Sequence, residues 1–384
     1  MLKQSLLLKL ICCLTEREEK VMELQNIEAY GKVYNSINSI SPYVGKMRIE
    51  LAKCLIEGYA KKGEILYDPF AGSGTVLLEG WELGYEVVGC DLNYYAYVLS
   101  MGKLNPYQTL SEAETVLLKY KKLAEKRSSI QDITTVPDWV KSFYHEETLK
   151  EICSWVYFLK KNREWFLLSC LMGILHHQRP GFLSYPASHG APYLRAKKYP
   201  RNDYPEMYQY KNVYEKLHKK VIRSYRYIPQ FDYALPRRML YKNAANLDFK
   251  GEHFSTIITS PPYMKSLTYA RDNRLRLWFL GKPEWEDLDK KISPDKKTFI
   301  EIMKKCFVKW SKIQRKGDKC IIVIGDITVR YKNVKTSLTD ILIDISKEYY
   351  MCIEKFQDPI PESKKVVKGN TNIKKEIIIV FERN

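Results

Sequence analysis

Residues 64–91 read EILYDPFAGSGTVLLEGWELGYEVVGCD. A short apolar run, Glu64 to Tyr67, enters Asp68-Pro69-Phe70-Ala71-Gly72-Ser73-Gly74-Thr75, and Val76 to Leu83 resumes as a helix. Strand, glycine turn and helix in that order open a parallel α/β sheet. Gly72 and Gly74 let the backbone turn tightly and approach a ligand with no Cβ in the way. A second strand, Tyr85 to Cys90, ends in Asp91, a carboxylate placed to accept hydrogen bonds from ribose hydroxyls. Taken singly, each piece is an ordinary βα turn and Asp91 a helix N-cap. Taken in register, they predict a site for a nucleoside-containing cofactor. The motif lacks the Gly-Lys-Ser/Thr end of a phosphate-binding loop, which argues against nucleoside triphosphate hydrolysis, and Leu77 stands where a dinucleotide fingerprint has its third glycine.

A second strand-to-turn junction lies downstream. Phe254 to Ile258 reads as a strand buried on both faces and runs into Thr259-Ser260-Pro261-Pro262-Tyr263. Neither proline can donate to a ladder, so the strand must stop there in a stiff loop, at the edge where open α/β sheets place their chemistry. Ser260 and the Pro261 carbonyl offer hydrogen-bond acceptors and Tyr263 a flat face, a set that suits a planar base with an exocyclic amine. On these five residues alone, a plain Pro-Pro turn reads equally well.

The composition narrows the class. The chain has 384 residues, 45% of them hydrophobic, enough for one large domain or a catalytic domain with an insertion. A net charge of +18 favours a polyanionic partner. The nine cysteines form no Cys-x-x-Cys pair, and the six histidines include one adjacent pair, His176-His177. A reducing, cytoplasmic setting fits, no metal site is expected, and the histidine pair reads as structural. Residues 1–14, MLKQSLLLKLICCL, are interrupted by lysines, lack a cleavage signal and are too short to span a bilayer. They read as a loosely attached helix, with Met22 as an alternative start.

Charge is concentrated in the middle. Residues 191–242 carry 13 basic and four acidic residues interleaved with ten tyrosines. Cations meet phosphates and tyrosines stack on bases, so the stretch reads as a nucleic-acid footprint or, more plainly, as a solvated helical insert. Arg195, Lys197, Lys198, Arg201, Lys219, Lys220 and Arg223 are its candidate contacts. Upstream, Trp165 to Leu175 predicts a buried helix that supplies packing only.

DPFAGSGT followed by TSPPY resembles the S-adenosylmethionine-dependent amino-methyltransferases of DNA, which act on cytosine N4 or adenine N6. The resemblance covers roughly Tyr34 to the C-terminus and is weakest in the middle. It implies a Rossmann-like seven-stranded α/β sheet whose last strand is antiparallel, with a largely helical target-recognition insert. The divisions expected are an N-terminal extension (1–30), a cofactor half (31–134), the insert (135–238) and a catalytic half (239–384). It also implies that Asp68, Phe70, Gly72, Gly74 and Thr75 line the cofactor, that Asp91 holds its ribose, and that Leu92 and Asn93 flank its adenine. Asn243 stands where the family usually has an aspartate near the adenine. Pro42, Tyr43 and Lys46 resemble the motif that precedes the glycine loop. Ser260, Pro261, Pro262 and Tyr263 become the catalytic motif. Arg271, Arg274 and Arg276, in the segment after it, are free to meet phosphate or base, or form a solvated helix face.

The implied reaction is direct methyl transfer to a base flipped out of duplex DNA. Serine ahead of the prolines favours cytosine N4, with adenine N6 as runner-up. RNA guanine N2 and a catalytically idle DNA-binding protein come behind. The motif order is that of the α-type branch, and a cognate restriction endonuclease is compatible with the reading without being required by it.

Overall fold

The computed structural model describes residues 22–23, 35–249, 251–262, 268–325, 327–359 and 375–384. The 1–14 segment and Tyr263 lie outside them. The frame is a sheet in the order β1-β9-β10-β6-β5-β2-β3-β4. Its strands are β1 (Met22–Glu23), β2 (Ile65–Asp68), β3 (Glu86–Asp91), β4 (Arg237–Tyr241), β5 (Thr256–Thr259), β6 (Lys319–Gly325), β9 (Tyr350–Pro359) and β10 (Lys375–Arg383). A separate hairpin joins β7 (Thr328–Tyr331) to β8 (Val334–Ser337). The expected seven-stranded Rossmann-like sheet is present, extended at one edge by the two residues of β1.

From β4 through β3, β2 and β5 to β6 every pairing is parallel. The last strand, β10, inserts antiparallel between β6 and β9. Central strands are buried on both faces, β5 at every position and β6 at all but its first, which is why they read as unbroken apolar runs. Chain order runs outward from β2 to β4 on one side and from β5 to β6 on the other. The topological switch therefore falls between β2 and β5, and the loops leaving these two strands open a crevice.

One face of the sheet is covered by α1 (Ile49–Tyr59), α2 (Thr75–Glu82) and α3 (Tyr94–Leu104). The other carries α10 (Lys296–Ser311) and α11 (Leu338–Ser346). Four helices extend the first face: α4 (Leu110–Ser128), α5 (Glu146–Lys161), α6 (Trp165–Ile174) and α7 (Val213–Ser224). Their apolar residues are continuous with the sheet core, and α4, before the expected start of the insert, packs on α5, after it. The predicted buried helix is α6, with Phe166 to Ile174 all buried. A single helical turn at Tyr269–Asp272 and two short helices, α8 (Arg274–Phe279) and α9 (Trp285–Ile292), lead from the Ser-Pro-Pro turn into α10. Among the described residues no helix is long and apolar enough to cross a membrane.

Close approach of α2 to the sheet depends on a glycine that motif reading passed over. A Cβ on Gly80 would stand 2.6 Å from Leu66 Cδ2 and 2.9 Å from Val87 Cγ1. The helix–strand packing that a third glycine provides in a dinucleotide fingerprint is thus supplied one turn further along.

Candidate active site

β2 and β5 are neighbours and end side by side, so Asp68 and Thr259 close their strands at the same edge. Thr259 Oγ1 donates to Asp68 Oδ1 at 2.7 Å, and the Phe70 amide lies 3.2 Å from both oxygens. The glycine loop is tied to β3 in the same manner. Asp91 accepts from the Gly72 amide at 2.8 Å and from the Asn93 amide at 2.7 Å. Two carboxylates therefore hold the loop from its two ends.

Between them lies a cleft of about 970 Å³. Asp68, Phe70, Gly72, Thr75, Asp91, Leu92 and Asn243 all line it, as do Ser260 and Pro262. Pro261 is buried beside them. The structure thus gathers most of the residues singled out in the sequence around one space. Gly74 and Asn93 shape that space from behind. Gly74 caps α2 at φ +71°, against Ser100 of α3. Asn93 accepts from the Tyr95 amide as the N-cap of α3, a role the sequence offered to Asp91, and donates to Tyr43 Oη at 3.4 Å.

The remaining wall was not legible as a motif. Tyr43 stacks on Tyr269 with ring centroids 6.2 Å apart, and both face the cleft. Ile292, Phe299, Ile302 and Met303, from α9 and α10, supply an apolar side. Only Tyr43 had a signal, its place in the segment before the glycine loop. The others read as ordinary core positions.

Burial sets the electrostatics. It pushes the Asp68 carboxyl up to about 7, against the opposing hydrogen bonds from Thr259 and Phe70. It raises Asp91 to about 6 in the same way. Neither carboxylate has a cation within ion-pair distance among the described residues. Buried Asp68 and partly exposed Asp91, without a countercharge among the described residues, fit a ligand that brings its own positive charge and hydroxyl donors. S-adenosylmethionine, with a sulfonium, an ammonium and a ribose diol, meets both requirements.

The predicted nucleic-acid contacts divide. Lys197, Lys198, Arg201, Lys219 and Arg223 are exposed, with Arg201 over the rings of Tyr185 and Tyr208. Arg195 donates to Gln178 Oε1 at 2.9 Å, and Lys220 turns inward to the Ser39 carbonyl at 2.7 Å. Arg271 is exposed beside Asp272. Arg274 donates to the Pro192 carbonyl, which ties the segment after the Ser-Pro-Pro turn to the loop carrying Arg195 to Arg201. Arg276 corrects the sequence reading. It is 2% exposed and donates to the Met172 carbonyl and to Asn273 Oδ1, so it cannot meet phosphate. Much of the insert's remaining charge is likewise directed inward. Lys211 donates to the Ser184 carbonyl, Arg237 donates to backbone carbonyls while lying 4.2 Å above Trp81, and Arg238 pairs with Glu252. Counting charge along the chain overstated the footprint because buried carbonyls also attract cations.

Residues 16–101 match the DNA methylase family of N6/N4 methyltransferases. The chain is 28% identical over 282 residues to the type II methyltransferase M.MvaI of Kocuria varians, covering 64% of this chain and 56% of that protein. It therefore spans little more than half the length of that relative. A tRNA (guanine(10)-N2)-dimethyltransferase of Methanocaldococcus jannaschii is 27% identical over 133 residues, covering 34% of this chain and 33% of that protein. Among solved structures, TrmN from Thermus thermophilus superposes with a TM-score of 0.36 at 11% identity, covering 89% of this chain and 50% of that one.

Proposed function

We propose that this chain carries an S-adenosylmethionine-dependent amino-methyltransferase domain of the N6/N4 DNA-methylase family, which its residues 16–101 match, and that it methylates cytosine N4 in double-stranded DNA. The observation that carries the reading is the shared cleft: Ser260 and Pro262 open onto the same space as Asp68, Gly72 and Asp91. A base amine held at the Ser-Pro-Pro turn then lies beside whatever the glycine loop holds.

When bound, S-adenosylmethionine supplies an electrophilic methyl group on sulfur. Asp68 and the glycine loop hold its methionine part, Asp91 accepts from its ribose, and Leu92 and Asn243 stand at its adenine. An exocyclic amine is a poor nucleophile because its lone pair is delocalised into the ring. Ser260 Oγ and the Pro261 carbonyl accept the amine protons, which favours a pyramidal nitrogen and aims its lone pair along the transfer line. Methyl transfer would leave the amine with one surplus proton, which Ser260 Oγ is placed to pass to solvent. Positioning and electrostatics carry such a step. The target must leave the duplex to reach the turn, and Pro262 and the face of Tyr263 are assigned to receive it.

Serine before the prolines supports cytosine over adenine, and adenine N6 is the second reading because the family name covers both atoms. The type II name of the Kocuria relative supports a restriction–modification setting, with any endonuclease on another chain. Labelled methyl transfer to duplex DNA and to tRNA, followed by nucleoside analysis, tests the proposal. N4-methylcytosine from DNA is expected. N6-methyladenine would replace it with the second reading, and label confined to tRNA guanine would overturn it.

A further inference from the structure

A second cluster of cations without ion-pair partners among the described residues lies outside residues 191–242. An open groove between α4, α5 and α8 is lined by Arg127, Tyr157, Lys160, Lys161, Trp278 and Phe279. The Arg127 guanidinium lies 4.0 Å over the Tyr157 ring, and its Nε is buried without a hydrogen-bond partner. Tyr157 is 41% exposed, with the Lys161 ammonium 5.7 Å from its centroid. Lys160 donates to the Leu280 carbonyl at 2.6 Å. Burial first, and then the nearby Lys282 charge, lowers its pKa, which places a fourth cation in the same field.

Lys282 extends the line toward β3 and β4. Its ammonium stands 5.6 Å from the Tyr94 ring and 5.8 Å from the Tyr241 ring. Tyr94 opens α3 and Tyr241 closes β4, so this end lies by the carboxyl ends of β3 and β4, on the side of the cleft assigned to the cofactor. The other end carries Trp278, on the helix that follows the Ser-Pro-Pro turn.

Among the described residues, none of Arg127, Lys160, Lys161 and Lys282 forms an ion pair. The nearby acids are engaged elsewhere. Glu125 pairs with Lys121, Asp132 accepts from Thr134, and Glu164 accepts from the hydroxyls of Tyr107 and Tyr120. Four cations without an ion-pair partner among the described residues, three of them lining one groove beside the exposed ring of Tyr157, match a phosphodiester chain.

We propose that this groove is a track for the phosphodiester backbone of the nucleic-acid substrate. The proposal rests on the methyltransferase reading for its partner, and its test separates the two. Binding of a fluorescent DNA duplex and of tRNA is measured across a salt series for wild type, for Lys161→Glu/Lys282→Glu and for Lys312→Glu/Lys316→Glu. The last pair makes the same charge change just before β6, at the amino end of that central strand. Each phosphate contact contributes about 0.9 to the slope of log affinity against log salt, so the groove variant should lose about 2 in slope. Its affinity at physiological salt should fall at least about tenfold, while the control variant keeps its slope and both variants keep the cofactor-induced thermal shift. Equal slopes in the two variants, or no wild-type binding to either polymer, overturns the track. Groove-dependent binding of tRNA with none of duplex DNA supports the track and overturns the DNA-methylation reading instead.

Discussion

The hydroxyl of Thr259 donates to the carboxylate of Asp68 at 2.7 Å, joining the strand that delivers the Ser-Pro-Pro turn to the strand that delivers the glycine loop. Both residues are buried, at 0% and 3% exposure, so the bond is shielded from water and binds the two halves of the cleft directly. Thr259→Val keeps the shape and removes the donor. A hydrogen bond to a charged group contributes roughly 1.5–3 kcal/mol, and a loss of that size is expected in urea unfolding. Cofactor affinity should fall as well, because Asp68 loses the partner that orients it, and Thr259→Ser should recover both. A valine variant with wild-type stability and affinity would show that the two strand ends are held by packing alone.

Asp68 also predicts a pH dependence. Burial raises its pKa to about 7 in the folded chain, against an ordinary value of 3.8. The folded state then binds this proton more tightly than the unfolded state. Its contribution to stability is complete below the unfolded pKa and is lost as pH rises through the folded one. Without cofactor, the melting temperature should therefore decline between pH 4 and 7 more steeply in wild type than in Asp68→Asn. Binding of a cationic cofactor has the opposite sign, since it requires the ionised carboxylate. Affinity for S-adenosylmethionine should rise from pH 5 to 8 in wild type, and much less in Asp68→Asn. Titration calorimetry showing a pH-independent wild-type affinity over that range would rule out Asp68 as the countercharge.

Gly74 is held at φ +71°, and a Cβ there would stand 2.6 Å from Ser100 Oγ and 3.1 Å from Ser100 Cα. Left-handed backbone costs an L-residue roughly 1–2 kcal/mol, and forcing α2 off α3 adds about as much again. Gly74→Ala should therefore destabilise by about 2–4 kcal/mol and weaken cofactor binding through Gly72, whose carbonyl receives Ser100 Oγ at 3.3 Å. Adding Ser100→Gly should recover part of the loss, read as a favourable coupling in a double-mutant cycle. Additive effects would mean that the strain is in the backbone angle and not in the contact.

These contacts mark where the sequence is transparent. Asp68 to Thr75 and Asp91 were readable because strand, turn, helix and strand follow one another within 28 residues. Ser260 was readable because two prolines must end a strand. The bond between Thr259 and Asp68 spans 191 positions, and its partners are named only once β5 is known to lie beside β2. The apolar wall from α9 and α10 has no motif, since Phe299 and Met303 repeat at the spacing of any packed helix. Charge misled for a related reason. A count of cations does not distinguish Lys161, open to solvent, from Lys220, which is bound to the Ser39 carbonyl.

Arg271 and Arg276 sharpen the last point, since they lie in one short segment and read alike in sequence. The Arg271 side chain is 52% exposed, whereas Arg276 is buried between α8 and α6, with its guanidinium over Tyr95 at 5.4 Å. Arg276 donates to the Met172 carbonyl at 3.1 Å and to Asn273 Oδ1 at 2.9 Å, so its loss leaves two buried acceptors unpaired and a void around them. Arg276→Ala should cost about 2–5 kcal/mol in unfolding free energy, from the cavity and the orphaned acceptors together. It should leave the salt dependence of nucleic-acid binding unchanged, because its charge faces no solvent. Arg271→Ala should do the reverse. Stability stays within about 0.5 kcal/mol of wild type, as for most surface changes, and the salt slope falls by about 1 if its guanidinium meets a phosphate. If Arg276→Ala instead proved stable and lowered the slope, α8 would have to detach from α6 on binding, and the buried arginine would be the group released to the substrate.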